Sequence, residues 1–150
     1  MKWSLSLVCL TIGIFSFASS SVEVARKNYP FAREDKKLCQ QMIIALKAAP
    51  SESLILGYLG AYQAVWAVHT YNPISKLNSF NEGKRNIEAA IQKAPTNIEL
   101  RYIRLSIQKN CPSFLGYSDR IASDEKFIQS NLKQIESSEL KTQIQSILNQ

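Results

Sequence analysis

Residues 90–96 read Ala90-Ile91-Gln92-Lys93-Ala94-Pro95-Thr96, and the pattern recurs 45 residues earlier as Ala45-Leu46-Lys47-Ala48-Ala49-Pro50-Ser51. In each copy an apolar-periodic segment runs into proline, which has no amide hydrogen to give a helix and whose ring clashes with the preceding turn. A serine or threonine follows at once, a residue type whose side chain caps the open amides of a new helix. Helix, Ala-Pro-Ser/Thr turn, helix is therefore used twice, and repetition on this scale marks hairpin-built helical folds.

Working towards the C-terminus, Thr96 and Glu99 have the spacing of a capping box, which predicts a helix from there to about Asn110. At 100° per residue, Ile98, Tyr102 and Leu105 make one apolar stripe and Leu100, Ile103 and Ile107 a second, with Arg101, Arg104 and Gln108 on the strip between them. Such a helix lies between two neighbours and leaves a narrow polar seam to water. After a loop over residues 111–117, a further helix is expected over about 118–135, with Ile121, Phe127, Ile128, Leu132 and Ile135 inward. A shorter one from about Ser138 carries Leu140, Ile144, Ile147 and Leu148.

Working towards the N-terminus, Asn72-Pro73 supplies an N-cap and a first-turn proline for a helix over residues 73–94, with Leu77, Phe80, Ile87, Ala90 and Ile91 inward. The preceding segment, about 52–70, is apolar nearly all round, as suits a helix enclosed by others. Gly57, Gly60, Ala64 and Ala67 fall on one side of it, where another helix can approach closely, and Tyr58, Tyr62 and His69 fall on another. Its apolar stretch, residues 54–68, is too short for a membrane span and contains Gln63. A first helix is expected over residues 34–48, burying Leu38, Met42, Ala45 and Leu46. Residues 21–33 read as a leader, because Pro30 disfavours helix just before it. Sustained alternation is nearly absent and there are only five glycines. The chain is thus predicted to be all-α, five to six helices in antiparallel hairpins over residues 34–150, either a TPR-like right-handed array or a compact bundle.

The first residues have another purpose. Lys2, an apolar run over residues 5–17, and then Ala18-Ser19-Ser20-Ser21 read as a secretory signal cleaved after Ser20. Cys9 does not make this a lipid-anchored signal, since Val8 stands before it where a small residue is required. Export to the periplasm or beyond is expected, with no membrane insertion after cleavage.

The net charge of +6 falls to +5 once Lys2 is gone, and the basic pairs are interrupted by Glu34-Asp35, Glu82, Glu88 and Glu99. A mild excess with no continuous basic stripe argues against a nucleic-acid partner. In an oxidising compartment Cys39 and Cys111 either pair, closing a loop of about 70 residues for roughly 4 kcal/mol, or stay as buried free thiols.

Gly83, Ile87, Ala90 and Pro95, with Leu59-Gly60, resemble the small, apolar and proline positions of the tetratricopeptide repeat. The spacing of 45 residues departs from the roughly 34 of that repeat, and Arg101 and Arg104 stand where it would place large apolar side chains. More of the chain is similar to a family of exported, TPR-like helical proteins of Bacteroidota that carries no assigned activity. The similarity lies in residues 69–77, 80–84, 99–108 and 112–117. It implies a fold and a compartment and transfers no catalytic residue.

Chemistry is sparse. One histidine, His69, and no CxxC, HExxH, GxSxG or phosphate-cradling glycine loop leave no nucleophile, metal set or cofactor motif, so a binding protein is expected rather than an enzyme. Arg101 and Arg104, one turn apart with Gln108, have the spacing to hold a carboxylate or an acidic peptide. The bland alternative is internal ion pairing with Glu99, Glu88 or Asp119. Tyr58, Tyr62 and His69 are the polar corner of a ligand pocket, or else His69 simply bonds a carbonyl or a tyrosine hydroxyl. A protein or peptide partner predicts an open groove containing Arg101 and Arg104; a small-molecule or anion ligand predicts a closed pocket at Tyr58, Tyr62 and His69. Tyr71 and the loop over residues 114–117 read as packing at one end of the core.

Overall fold

A computed structural model describes residues 12–150; Lys2, Cys9 and the first part of the apolar run read as an export signal lie outside them. Among the described residues the chain is all-helical: α1 Ile12–Asn28, α2 Lys36–Ala48, α3 Ser53–Trp66, α4 Pro73–Lys93, α5 Ile98–Asn110, α6 Ile121–Asn131 and α7 Ser138–Leu148, joined by short 3-10 turns. Their starts are set by local chemistry. The Asp35, Asn72, Asn97 and Ser137 side chains accept from the amides of Leu38, Ser75, Leu100 and Leu140 at 2.9, 3.0, 3.1 and 3.2 Å, each satisfying a donor that the first helical turn leaves open. The capping box expected at Thr96 does not form, because Asn97 is the cap and the Glu99 carboxylate is spent on Arg26 and Tyr58.

α3 and α4 make the tightest pair. A Cβ on Gly60 would stand 2.6 Å from the Gly83 carbonyl oxygen, and one on Gly83 would collide with the Gly60 carbonyl and the Ala64 backbone. Hydrogen at these two positions is what lets the backbones touch, as the run of small residues in α3 predicts.

α5 runs through the middle. Tyr102 and every residue from Ile103 to Gln108 are buried, together with Glu99 and Leu100, so the helix is covered on the polar strip as well as on both apolar stripes.

Residues 21–33 are not a detached leader. α1 continues to Asn28, and a 3-10 turn, Tyr29–Phe31, then accommodates Pro30 in its first positions, where a missing amide hydrogen costs nothing. Val22, Ala25, Tyr29 and Ala32, spaced three and four apart, are all buried. The Tyr29 ring sits edge-on to Tyr58, Tyr62 and Tyr102 with centroids 5.9, 5.7 and 6.4 Å away, and its hydroxyl lies 2.7 Å from Ser106 Oγ. Arg26 donates Nε and Nη2 to the two Glu99 oxygens at 2.7 and 2.8 Å. This segment closes the core rather than leading up to it.

Candidate functional site

The strip on α5 is largely enclosed and its arginines are paired within the protein. Arg104 is 3% exposed, and Nε and Nη2 donate to the two oxygens of Asp124 at 2.7 and 2.8 Å while Nη1 donates to Glu88 Oε2 at 2.8 Å. Arg101 Nη1 shares Asp124 Oδ1 at 3.1 Å, its Nε and Nη2 reach the Pro95 carbonyl, and its guanidinium lies 5.2 Å from the Phe127 ring centre. The Tyr117 hydroxyl donates to the remaining Glu88 oxygen at 2.7 Å, and burial together with that carboxylate holds the phenol well above its ordinary range. The guanidiniums are therefore consumed by Asp124 and Glu88, not by Asp119. Gln108 is enclosed too, and its side-chain amide has no hydrogen-bond partner among the described residues. The reason is α6, which covers the seam that helical periodicity left to water.

Tyr58, Tyr62 and His69 are engaged within the protein. The Tyr58 hydroxyl donates to Glu99 Oε1 at 2.6 Å, the Tyr62 hydroxyl to the Ala25 carbonyl at 2.8 Å, and His69 Nε2 to the Ala32 carbonyl at 2.8 Å. All three fasten residues 25–32 and α5 to α3. Cys39 and Cys111 are both free thiols. Burial pushes the Cys39 thiol up to about 12, which leaves it protonated and unreactive at neutral pH.

The concave site lies elsewhere. Val65 and Val68 from the end of α3 and its following turn, Leu77 and Phe80 from α4, and Phe114 and Leu115 from the next loop enclose an apolar groove of about 390 Å³. Two local features open it. The first two turns of α4, from Pro73 to Asn78, are exposed on every side, which leaves Leu77 47% exposed although its spacing reads as core. The loop is built by a 3-10 turn, Ser113–Leu115, that Gly116 stops in the left-handed region at φ 60°, a conformation a side chain would strain. Tyr117 then turns back edge-on to Phe80 at 6.1 Å, while Phe114 stays 84% exposed. Tyr71 is 97% exposed and Ile74 72%, so neither plugs the end of the core. Exposed apolar side chains scattered singly need no explanation, but a contiguous set around a groove does.

The only charged side chains in the wall are Arg33 and Lys76, both exposed and neither in an ion pair among the described residues. A second hollow of about 460 Å³ shares Arg33, Val65, Ile107 and Asn110 with the groove and is bordered by Ser106, Thr142, Gln143 and Ser146. The two thus meet beside Arg33, and the second carries more polar side chains among its apolar ones than the first.

Among the described residues no group of three or more His, Cys, Asp or Glu side chains is placed to hold a metal ion, and no helix is long and apolar enough to cross a membrane. Comparison of the chain with protein-family models, with curated proteins and with solved structures gave no match.

Proposed function

We propose that this chain is an exported, non-enzymatic binding module whose site is the apolar groove between the end of α3, the start of α4 and residues 111–115. The observation that carries this reading is the contiguity of Val68, Leu77 and Phe114, roughly half or more exposed, around a hollow within the size range of small-ligand pockets. A domain of this size can bury such side chains, and covering the exposed part of each is worth roughly 1–2 kcal/mol. Leaving them in water maintains a site that a ligand completes. Of the two partners expected from sequence, a peptide along Arg101 and Arg104 loses its support, since Arg104 is buried against Asp124 and Glu88 and the part-exposed Arg101 is bonded to Asp124 and the Pro95 carbonyl. A small apolar ligand fits the groove. The signal-like first residues support export, and the two helical hairpins sharing an Ala-Pro-Ser/Thr turn support a TPR-like scaffold carrying the site.

An environment-sensitive apolar dye, titrated into the purified protein, tests this. One saturable site per chain is expected, lost in Leu77→Asp and kept in Ile44→Asp, which alters an exposed apolar residue on α2 outside the groove. Equal loss in both variants, or no saturation, contradicts the assignment.

A further inference from the structure

We infer that the ligand of the groove is an anionic single-chain amphiphile, a long-chain carboxylate whose tail occupies the apolar groove and whose head is held at Arg33. This rests on the reading of the groove as the binding site and names the chemistry that site selects.

The polar inventory of the wall decides against a peptide. A peptide brings an amide donor and a carbonyl acceptor with every residue, and each costs free energy if it is covered without a partner. The groove answers with one neutral polar side chain, Asn110, and two cations. An alkyl chain makes no such demand. Its burial is favourable in proportion to area and needs no directional partner.

Charge selects the head. Arg33 and Lys76 line the groove and no carboxylate does, so an anion meets attraction and no opposing charge from the wall. Arg33 is also the one charged residue that the groove shares with the second hollow, so a head placed there sits at the groove's border while its tail extends towards Leu77 and Phe114. The Arg33 backbone is fixed on both sides. Ala32 is fully buried and its carbonyl receives His69 Nε2, and the Asp35 amide donates to the Phe31 carbonyl at 2.9 Å while its side chain caps α2. A planar guanidinium on an anchored backbone, with no ion pair among the described residues, suits bidentate recognition of a carboxylate.

Displacement of the groove-bound dye tests the proposal with four competitors: dodecanoate below its micellar range, dodecanol, acetate, and a short apolar peptide blocked at both ends. Dodecanoate should displace the dye at one molecule per chain, on the order of tenfold more tightly than dodecanol, the size of a charge-assisted hydrogen bond. Acetate and the peptide should not displace it. Arg33→Gln should remove the preference for the carboxylate and leave dodecanol binding unchanged, and Lys76→Gln should reduce it by less. If dodecanol matches dodecanoate, or the blocked peptide displaces the dye and dodecanoate does not, the amphiphile is the wrong ligand while the groove stands. Binding to anionic vesicles without binding monomeric dodecanoate makes the patch a membrane-docking surface and overturns the proposal. Failure of the dye itself to bind removes both the proposal and the reading beneath it.

Discussion

The fully buried carboxylate of Asp124 receives Arg104 through two parallel hydrogen bonds, Nε to Oδ2 at 2.7 Å and Nη2 to Oδ1 at 2.8 Å. This pair ties α6 to α5 and engages the Arg104 guanidinium inside the protein. Removing one member of a buried pair strands the other, a loss of about 3–5 kcal/mol. Arg104→Ala should therefore lower stability by about that amount, read from urea unfolding. Arg101→Ala should cost about 1 kcal/mol or less, because Asp124 keeps both hydrogen bonds to Arg104. A mild effect of Arg104→Ala would show that the guanidinium is free.

Gln108 gives the opposite sign. Its amide nitrogen and oxygen are enclosed without a partner, and an unmet buried polar group costs about 1–3 kcal/mol. Methionine has nearly the same shape and no such demand, so Gln108→Met should raise the unfolding free energy by about 1 kcal/mol or more. A loss of stability would show that the amide is satisfied in solution.

Much of this architecture is legible in the sequence. The prolines at positions 50, 73 and 95 bracket helices where they stand, and Gly60 and Gly83 fall where α3 and α4 touch. The misreadings have definite causes. Periodicity shows that α5 has two apolar stripes but not that a third helix covers the seam. The available signal was Asp124, which stands three residues after Ile121 and four before Ile128 on the inward face of α6. Val22, Ala25, Tyr29 and Ala32 have helical spacing, yet in sequence Pro30 disfavours helix at the residue before it, and a 3-10 turn that accommodates both is not visible there. Leu77 is in phase with Phe80 and Ile87, but phase does not reveal which turns of α4 lack a neighbour. The groove was illegible for that reason, since it is made by helix ends and a loop rather than by any one element.

Alkaline pH should unfold the protein. Burial raises Tyr29 and Cys39 to about 12 and holds Tyr58, Tyr62, Tyr102 and Tyr117 well above their ordinary range. In the unfolded chain tyrosines release protons near pH 10 and thiols near 8.5. Raised folded-state values mean that the stabilisation is complete below those pH values and is lost as pH climbs towards 12, because the folded state then binds more protons than the unfolded one. The urea midpoint should fall steeply over that window, with tyrosinate absorbance appearing only as the helical signal disappears. Tyrosinate formation ahead of unfolding would contradict the buried cluster.

Cleavage after Ser20 would cut within α1 but spare Val22, Ala25, Arg26, Tyr29 and Ala32, which close the core. Intact mass of the protein recovered from the cell envelope should therefore give Ser21 as the first residue. A chain retaining Met1, or starting beyond Arg26, would contradict the export reading.

Amide chemical-shift mapping on dodecanoate titration locates the site. The largest shifts should fall at Arg33, Val68, Leu77 and Phe114, with α2 and the exposed face of α6 unmoved. Shifts centred on Arg101 and Arg104, or none at saturating ligand, would contradict that location.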